Sequence, residues 1–351
     1  MRILHLAGSE DNGGAAQATR TIQGLVGGDI VKAARSRARE AYRCIGGYYD
    51  PLLARWLRRL AASYDVVHLH RFGEWGTAAL HTGKPTVYSA YDYWTLGPCQ
   101  NLYPYPCEMD CVRCYQPKGR PWPTVAKLWL AGRPRRMLRH FKRLDALVVL
   151  SADQRQRLEG LTPAAASVIP LPVSIEPVDI TRDRDQVLYL GWMAPNKGLD
   201  VVLRAWPGVR AKWPKAKLMV AGPQPNVAYA EQCKALASPG VIFLGEVSRP
   251  EAAHLLCESQ VVVVPEVWPN PQPIVMCEAL AVGTHVAASA IGGISQHGGP
   301  DTLYVYHGDP EDWAAKIGCA LARRVAPEPK RIDPQCTKAQ LEEVYQCIAF
   351  R

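Results

Sequence analysis

Glu278 is the one acid in the apolar run PIVMCEALAVG (273–283), which follows a strand-like VVVVP (261–265) and a loop crowded with prolines. Such a carboxylate is either a helix residue with its head in solvent or an acceptor for a ligand's hydroxyl groups. The backbone N–H groups near Ile274 and Val275 open the same helix, where an anion is favoured. Lys197 stands in GWMAPNKGLDVVLRAW (191–206), just before a glycine and a helix. Its ammonium either reaches back toward the strand ends or is solvated. Gly13 and Gly14 in GSEDNGGAAQATRTI (8–22) open a first helix. They either make a tight turn or expose N–H groups to an anion; their spacing is not the dinucleotide fingerprint. Gly292 and Gly293 in IGGISQHGG (291–299) allow backbone to approach a ligand closely.

A second chemistry is written in PCQNLYPYPCEMDCVRC (98–114). Cys99, Cys107, Cys111 and Cys114 could supply four thiolates to a structural zinc ion, although the first two are eight apart rather than paired. Packed free thiols and a redox pair remain open alternatives.

These residues need a scaffold that aims them. RILHLA (2–7), DVVHLH (65–70), PTVYS (85–89) and DALVVL (145–150) punctuate the first half. VLYLG (187–191), KLMVAG (217–222), VIFLG (241–245), VVVVP (261–265) and THVAAS (284–289) punctuate the second. Continuous apolar strands alternating with helix-length segments predict parallel sheets covered on both faces. At 351 residues two domains are expected. Residues 1–172 form the first, 173–186 a charged, proline-interrupted linker and 187–335 the second; a C-terminal helix over 336–351 is expected to pack back on the first. Doubly wound folds bind ligands at the carboxyl ends of their strands, so a cleft between two such domains is the expected site.

KLMVAGPQP, VIFLGEVSRPEAAHLL, the VVVVP…IGGI stretch and GW…NKGLDVVLRAW together resemble the C-terminal domain of a retaining GT-B glycosyltransferase of family 4, the group 1 type. GGAAQATRTI, YDVVHLH and YSAYDYWTLGPC are similar to that family's acceptor domain, so nearly the whole chain is covered. The resemblance implies a GT-B fold: two Rossmann-like, doubly wound parallel-sheet domains facing a cleft. It implies transfer of a sugar from a nucleotide-diphosphate donor to a carbohydrate, lipid-linked or small-molecule hydroxyl, with retention and with no cofactor required for catalysis. The alternative is a degenerate, non-catalytic protein of the same fold that binds nucleotide or glycan, or partners an active transferase. By the resemblance Glu278 grips the nucleotide ribose, Lys197 faces the diphosphate, and Gly13 and Gly14 let phosphate or acceptor come close. Asp92 falls in the acceptor site. The sequence departs from the pattern at four places. Asn270 stands where an acid should contact the donor sugar. Trp192 replaces the diphosphate arginine, Tyr91 the histidine before Asp92, and Gln296 an acid after the later glycine pair. Glu266 is a candidate to supply the charge lost at 270.

Charge is uneven. Residues 1–170 hold 24 Lys and Arg against 13 Asp and Glu, a net of +11, and the remainder holds 17 against 19, a net of −2. RPRRMLRHFKRLDALVV (133–149) reads as a basic amphipathic helix, with Met137, Leu138, Phe141 and Leu144 on one face, suited to an anionic membrane surface or packed on its own domain. No nucleic-acid module accompanies the charge, so no nucleic-acid partner is expected. Asp183 and Asp185 read as surface charge in the linker. Eleven cysteines in apolar segments and a chain that enters a strand without a leader point to a reducing cytoplasm, with peripheral membrane association. No apolar run is long enough to span a bilayer.

Overall fold

The computed structural model describes residues 1–9, 13–33, 49–72, 75–96, 102, 138–160, 162, 164–306 and 308–350. They divide into two compact units that meet in sequence between Pro172 and Val173, and the chain returns to the first unit at Ile332.

The first unit is built on a parallel sheet of β1 (Ile3–Ala7), β2 (Asp29–Lys32), β3 (Val66–Leu69), β4 (Thr86–Ser89), β5 (Ala146–Val149) and β6 (Ala166–Val168), in the order β2-β1-β3-β4-β5-β6. The apolar run of β1 is buried at all five positions, as a strand covered on both faces must be. Helix α1 (Gly14–Val26) follows β1, and α2 (Pro51–Ala61) precedes β3. Helix α3 (Ala152–Leu158) starts at Ser151, whose hydroxyl accepts from the Gln154 amide. The second unit repeats the plan with β7 (Asp183–Leu190), β8 (Lys217–Ala221), β9 (Val241–Gly245), β10 (Ser259–Val264), β11 (His285–Ser289) and β12 (Leu303–Val305), in the order β12-β11-β10-β7-β8-β9. Around this sheet lie α4 (Leu199–Lys212), α5 (Val227–Ala235), α6 (Arg249–Glu258), α7 (Ile274–Ala281), α8 (Ile294–His297) and α9 (Pro310–Ala322).

Alternation along the central strands sorts the second core into two layers. Val187, Tyr189, Val261 and Val263 pack with Trp206 and Trp313 on one face. Leu188, Val262 and Val264 pack with Met276 and Ile294 on the other. The last helix, α10 (Pro334–Ala349), buries Thr337, Leu341, Tyr345 and Ile348 in the core of the first unit, beside Ile22 and Val87. Its Thr337 hydroxyl donates to the Pro170 carbonyl at 3.0 Å.

Two sequence expectations shift. The segment 183–186 is the start of β7 rather than linker, because Asp183 accepts from Lys217 Nζ at 2.9 Å and its backbone pairs with β10. In the basic segment 133–149, residues 133–137 lie outside the described residues. Phe141 and Leu144 are buried, at 2% and 4% exposure, so these two members of the apolar stripe serve the core and are not offered to a membrane.

Candidate active site

In each sheet the chain order reverses once, between β7 and β10 in the second unit and between β1 and β3 in the first. Strand carboxyl ends at such a reversal splay their loops apart and leave room for a ligand.

At the β7/β10 reversal the loop after β7 ends in a tight turn, Pro195–Lys197, closed by Gly198. Gly198 has φ +66°, and a β-carbon there would strike the Pro265 carbonyl. Only glycine therefore lets this turn press against the end of β10. The Val267 amide donates to the Asn196 carbonyl at 3.0 Å and fixes the contact. The result is an ion pair between Lys197 Nζ and Glu266 Oε1 at 2.6 Å, with the Glu266 side chain buried. Lys197 also lies 5.5 Å from the centroid of the Trp268 ring. The other Glu266 oxygen accepts from Asn270 Nδ2 at 2.8 Å, and Asn270 Oδ1 accepts from the Gln272 amide at 3.1 Å. Asn270 thus anchors a buried carboxylate supplied four residues earlier. The loop is clamped from the far side by Gly292 and Gly293. A β-carbon on Gly292 would meet Pro269, and one on Gly293 would meet the Pro271 carbonyl. His297 Nε2 donates to the same Pro271 carbonyl at 3.0 Å.

Helix α7 begins directly after this loop, with Ile274 and Val275 half-buried in its first turn. Glu278, in the next turn, is only 1% exposed, and its Oε1 accepts from the Arg249 guanidinium at 2.7 Å. Arg249 also donates to the Ser174 carbonyl at 3.0 Å. The acid is therefore not a solvated helix residue. Arg249 escaped the sequence reading, although Ser248 and Glu251 around it spell a capping box that places it in the first turn of α6. Trp192 is half-exposed and its carbonyl accepts from the Tyr189 hydroxyl. Gln296 lies on the exposed side of α8.

At the β1/β3 reversal, Gly13 (φ +100°) leads into α1, and Gly14 is that helix's first residue. A pocket lined by Gly8, Ala15, Arg20, Lys32, His70 and Arg71 opens here. A neighbouring one is lined by His70, Arg71, Tyr91, Asp92 and Trp94. One Asp92 oxygen accepts from the Trp94 amide at 2.9 Å, which folds the chain into the tight turn that presents the acid.

Beneath these pockets lies a feature the sequence did not announce. His5 pairs in register with His68, and His70 follows two residues on, so three buried imidazoles share one face of the sheet. Their nitrogens lie within 4.8 Å of one another. The His68 and His70 rings stack at 4.1 Å with planes 25° apart, and those of His5 and His70 at 5.1 Å and 28°. His5 and His70 are hydrogen-bonded to each other, and His68 stacks beside them with partners of its own. The Gly27 carbonyl can only accept, so His5 Nε2 carries a proton toward it at 2.8 Å. Burial holds His5 below the ordinary imidazole pKa and His68 and His70 well below it, so the rings are neutral. His5 Nδ1 then accepts from His70 Nε2 at 2.9 Å, and His70 Nδ1 accepts from the Tyr91 hydroxyl at 2.6 Å. Burial raises the Tyr91 pKa, which keeps that phenol protonated. His68 joins Tyr345 of α10 at 2.7 Å and Ser89 at 2.8 Å. Cys99, Cys107, Cys111 and Cys114 lie outside the described residues.

Two such six-stranded parallel sheets in tandem units are the GT-B architecture. Residues 16–177 match the profile of Glycosyltransferase Family 4, and residues 184–323 that of Glycosyl transferases group 1. The chain belongs to this glycosyltransferase family. It is 32% identical over 208 residues to a D-inositol 3-phosphate glycosyltransferase of Mycolicibacterium paratuberculosis, covering 52% of this chain and 46% of that one. It is 27% identical over 160 residues to a phosphatidyl-myo-inositol mannosyltransferase of Mycolicibacterium smegmatis, covering 43% and 40%. The chain thus spans less than half the length of these curated relatives. Among solved structures, Anabaena HepE in complex with UDP superposes with a TM-score of 0.67 at 15% identity, over 99% of this chain and all of that one.

Proposed function

We propose that the protein transfers a sugar from a nucleoside diphosphate donor, with UDP-sugars the first to test, to a hydroxyl of a carbohydrate, lipid-linked or small-molecule acceptor, with retention. The observation that carries this reading is the Lys197–Glu266–Asn270 chain at the β7/β10 reversal. It holds a cation at the strand ends on a buried, anchored carboxylate. Charge on the departing diphosphate grows as the glycosidic bond breaks, and a preplaced ammonium opposes that charge without reorganising. Glu278 takes the ribose hydroxyls on its carboxylate, which the Arg249 guanidinium orients. The amides of Ile274 and Val275, with the backbone of Gly292 and Gly293, line the donor site. No metal enters this scheme.

In the first unit, Asp92 accepts from the acceptor's hydroxyls, and Gly13 and Gly14 allow close approach of the ligand. Tyr91 is the outer end of the imidazole chain, so it is a rigid wall of the acceptor pocket rather than a proton carrier. UDP release from a panel of UDP-sugars, with simple polyol and glycoside acceptors, tests the reading. UDP binding with no turnover in any combination would favour the non-catalytic alternative. The cysteine segment is proposed to hold a structural zinc ion. Metal analysis of protein purified without added zinc should find about one equivalent, lost in Cys111→Ser.

A further inference from the structure

Helix α2 carries a surface that neither site uses. Leu53, Ala54, Leu57 and Ala61 turn inward and are buried. The opposite stripe runs through positions 52, 55, 56 and 59. Leu52 is 79% exposed and Trp56 47%, and Arg55, Arg58 and Arg59 are exposed beside them. The helix itself contains no acid, and Asp50 is occupied as its N-cap, accepting from the Leu52 and Leu53 amides at 2.9 and 3.0 Å. Trp56 stacks on the buried Trp75, with centroids 6.4 Å apart and planes 7° apart, so its free edge is held outward.

Single apolar residues on a surface are ordinary. A leucine and a tryptophan one turn apart, flanked by guanidinium groups on a helix whose own residues include no acid, have instead the composition of a helix that lies in a bilayer interface. Tryptophan favours the headgroup level, and arginine keeps its charge at the phosphates while its stem runs along the apolar boundary. We propose that α2 is a peripheral membrane contact, with Leu52 and Trp56 entering the headgroup boundary of an anionic bilayer and Arg55, Arg58 and Arg59 meeting lipid phosphates. The occupant follows from charge: the stripe is cationic, and the excess of +11 is confined to residues 1–170. Nucleic acid would use the arginines but leave Leu52 without a role. This contact is distinct from the one expected over 133–149, and it does not depend on the proposed transfer reaction.

Vesicle flotation tests the contact, with phosphatidylcholine alone and with phosphatidylcholine mixed with phosphatidylglycerol. The full chain should float with the anionic vesicles at low salt, remain behind with the neutral ones, and be released at about 0.5 M salt, where the Debye length has shrunk to a few ångströms. Arg55→Gln with Arg59→Gln should weaken partitioning roughly 25-fold, since each arginine near an anionic surface contributes about fivefold. Leu52→Gln, at a position too exposed to matter for folding, should weaken it about tenfold. Both variants should keep the parent melting temperature. The proposal is overturned if the parent ignores anionic vesicles, or if both variants float as the parent does. It is equally overturned if sedimentation equilibrium shows a parent dimer that Leu52→Gln dissociates, which would assign the stripe to a second copy.

Discussion

Lys197 and Glu266 show how far single residues could be read. The lysine before a glycine and a helix was visible as a cation near strand ends, and Glu266 as a substitute for the acid missing at 270. What local pattern does not carry is the handover, in which Asn270 donates its side-chain N–H to Glu266 and its oxygen accepts from the Gln272 amide. Lys197→Ala should lower turnover of a UDP-sugar by about 10²–10³-fold while weakening donor affinity far less, because the charge it opposes grows toward the transition state. Steady-state kinetics against direct binding separates the two, and equal losses would make Lys197 a ground-state contact. The three histidines were invisible because cross-strand register brings them together, and nothing in ILHLA announces His68 as the neighbour of His5. Their pKa values are depressed on folding. The unfolded chain therefore binds more protons below the ordinary imidazole value of about 6.5, and stability falls as pH drops through that value toward the folded ones. Each histidine contributes a slope of up to about 1.4 kcal/mol per pH unit in that window. Urea unfolding should show a marked loss between pH 7.5 and pH 5.5, reduced in His70→Gln. A flat profile over that interval would mean that the rings are not neutral in the fold.

Among elements, the central strands and the edge strand β9 (VIFLG) were legible, but β2 and β12 were not. VVVVP and VLYLG are continuous apolar runs because both of their faces are covered. By contrast, β2 is half-exposed and β12 is only three residues long, so neither makes a run that stands out. The Pro195–Gly198 turn is the element on which the proposed donor site depends. Gly198→Ala puts a side chain into the left-handed region and against the Pro265 carbonyl. The strain alone costs roughly 1–3 kcal/mol, and the collision must be relieved by moving the turn that carries Lys197. The variant should lose stability in urea and lose UDP-sugar turnover beyond what stability explains. Unchanged kinetics in a destabilised variant would separate the turn from the chemistry. Helix α10 illustrates a different limit. Its apolar spacing was readable, but the hydrogen bond that fixes its register, from Tyr345 to a histidine 277 positions earlier in the chain, was not.

At the scale of the whole molecule, two units of the same plan carry unlike charge. The basic first half holds the pocket beside Asp92 and the α2 stripe, and the slightly acidic second half holds the cation–carboxylate chain. The central claim is that the β7/β10 reversal of the second unit binds a nucleoside diphosphate through Glu278. Calorimetric titration of UDP into the parent and into Glu278→Ala tests it most directly. The parent should bind one equivalent, and the variant should bind at least tenfold more weakly with its fold intact, a loss of about 1.5–3 kcal/mol for hydrogen bonds to a charged group. Equal affinity in the two proteins, or a parent that binds no UDP, would contradict the account.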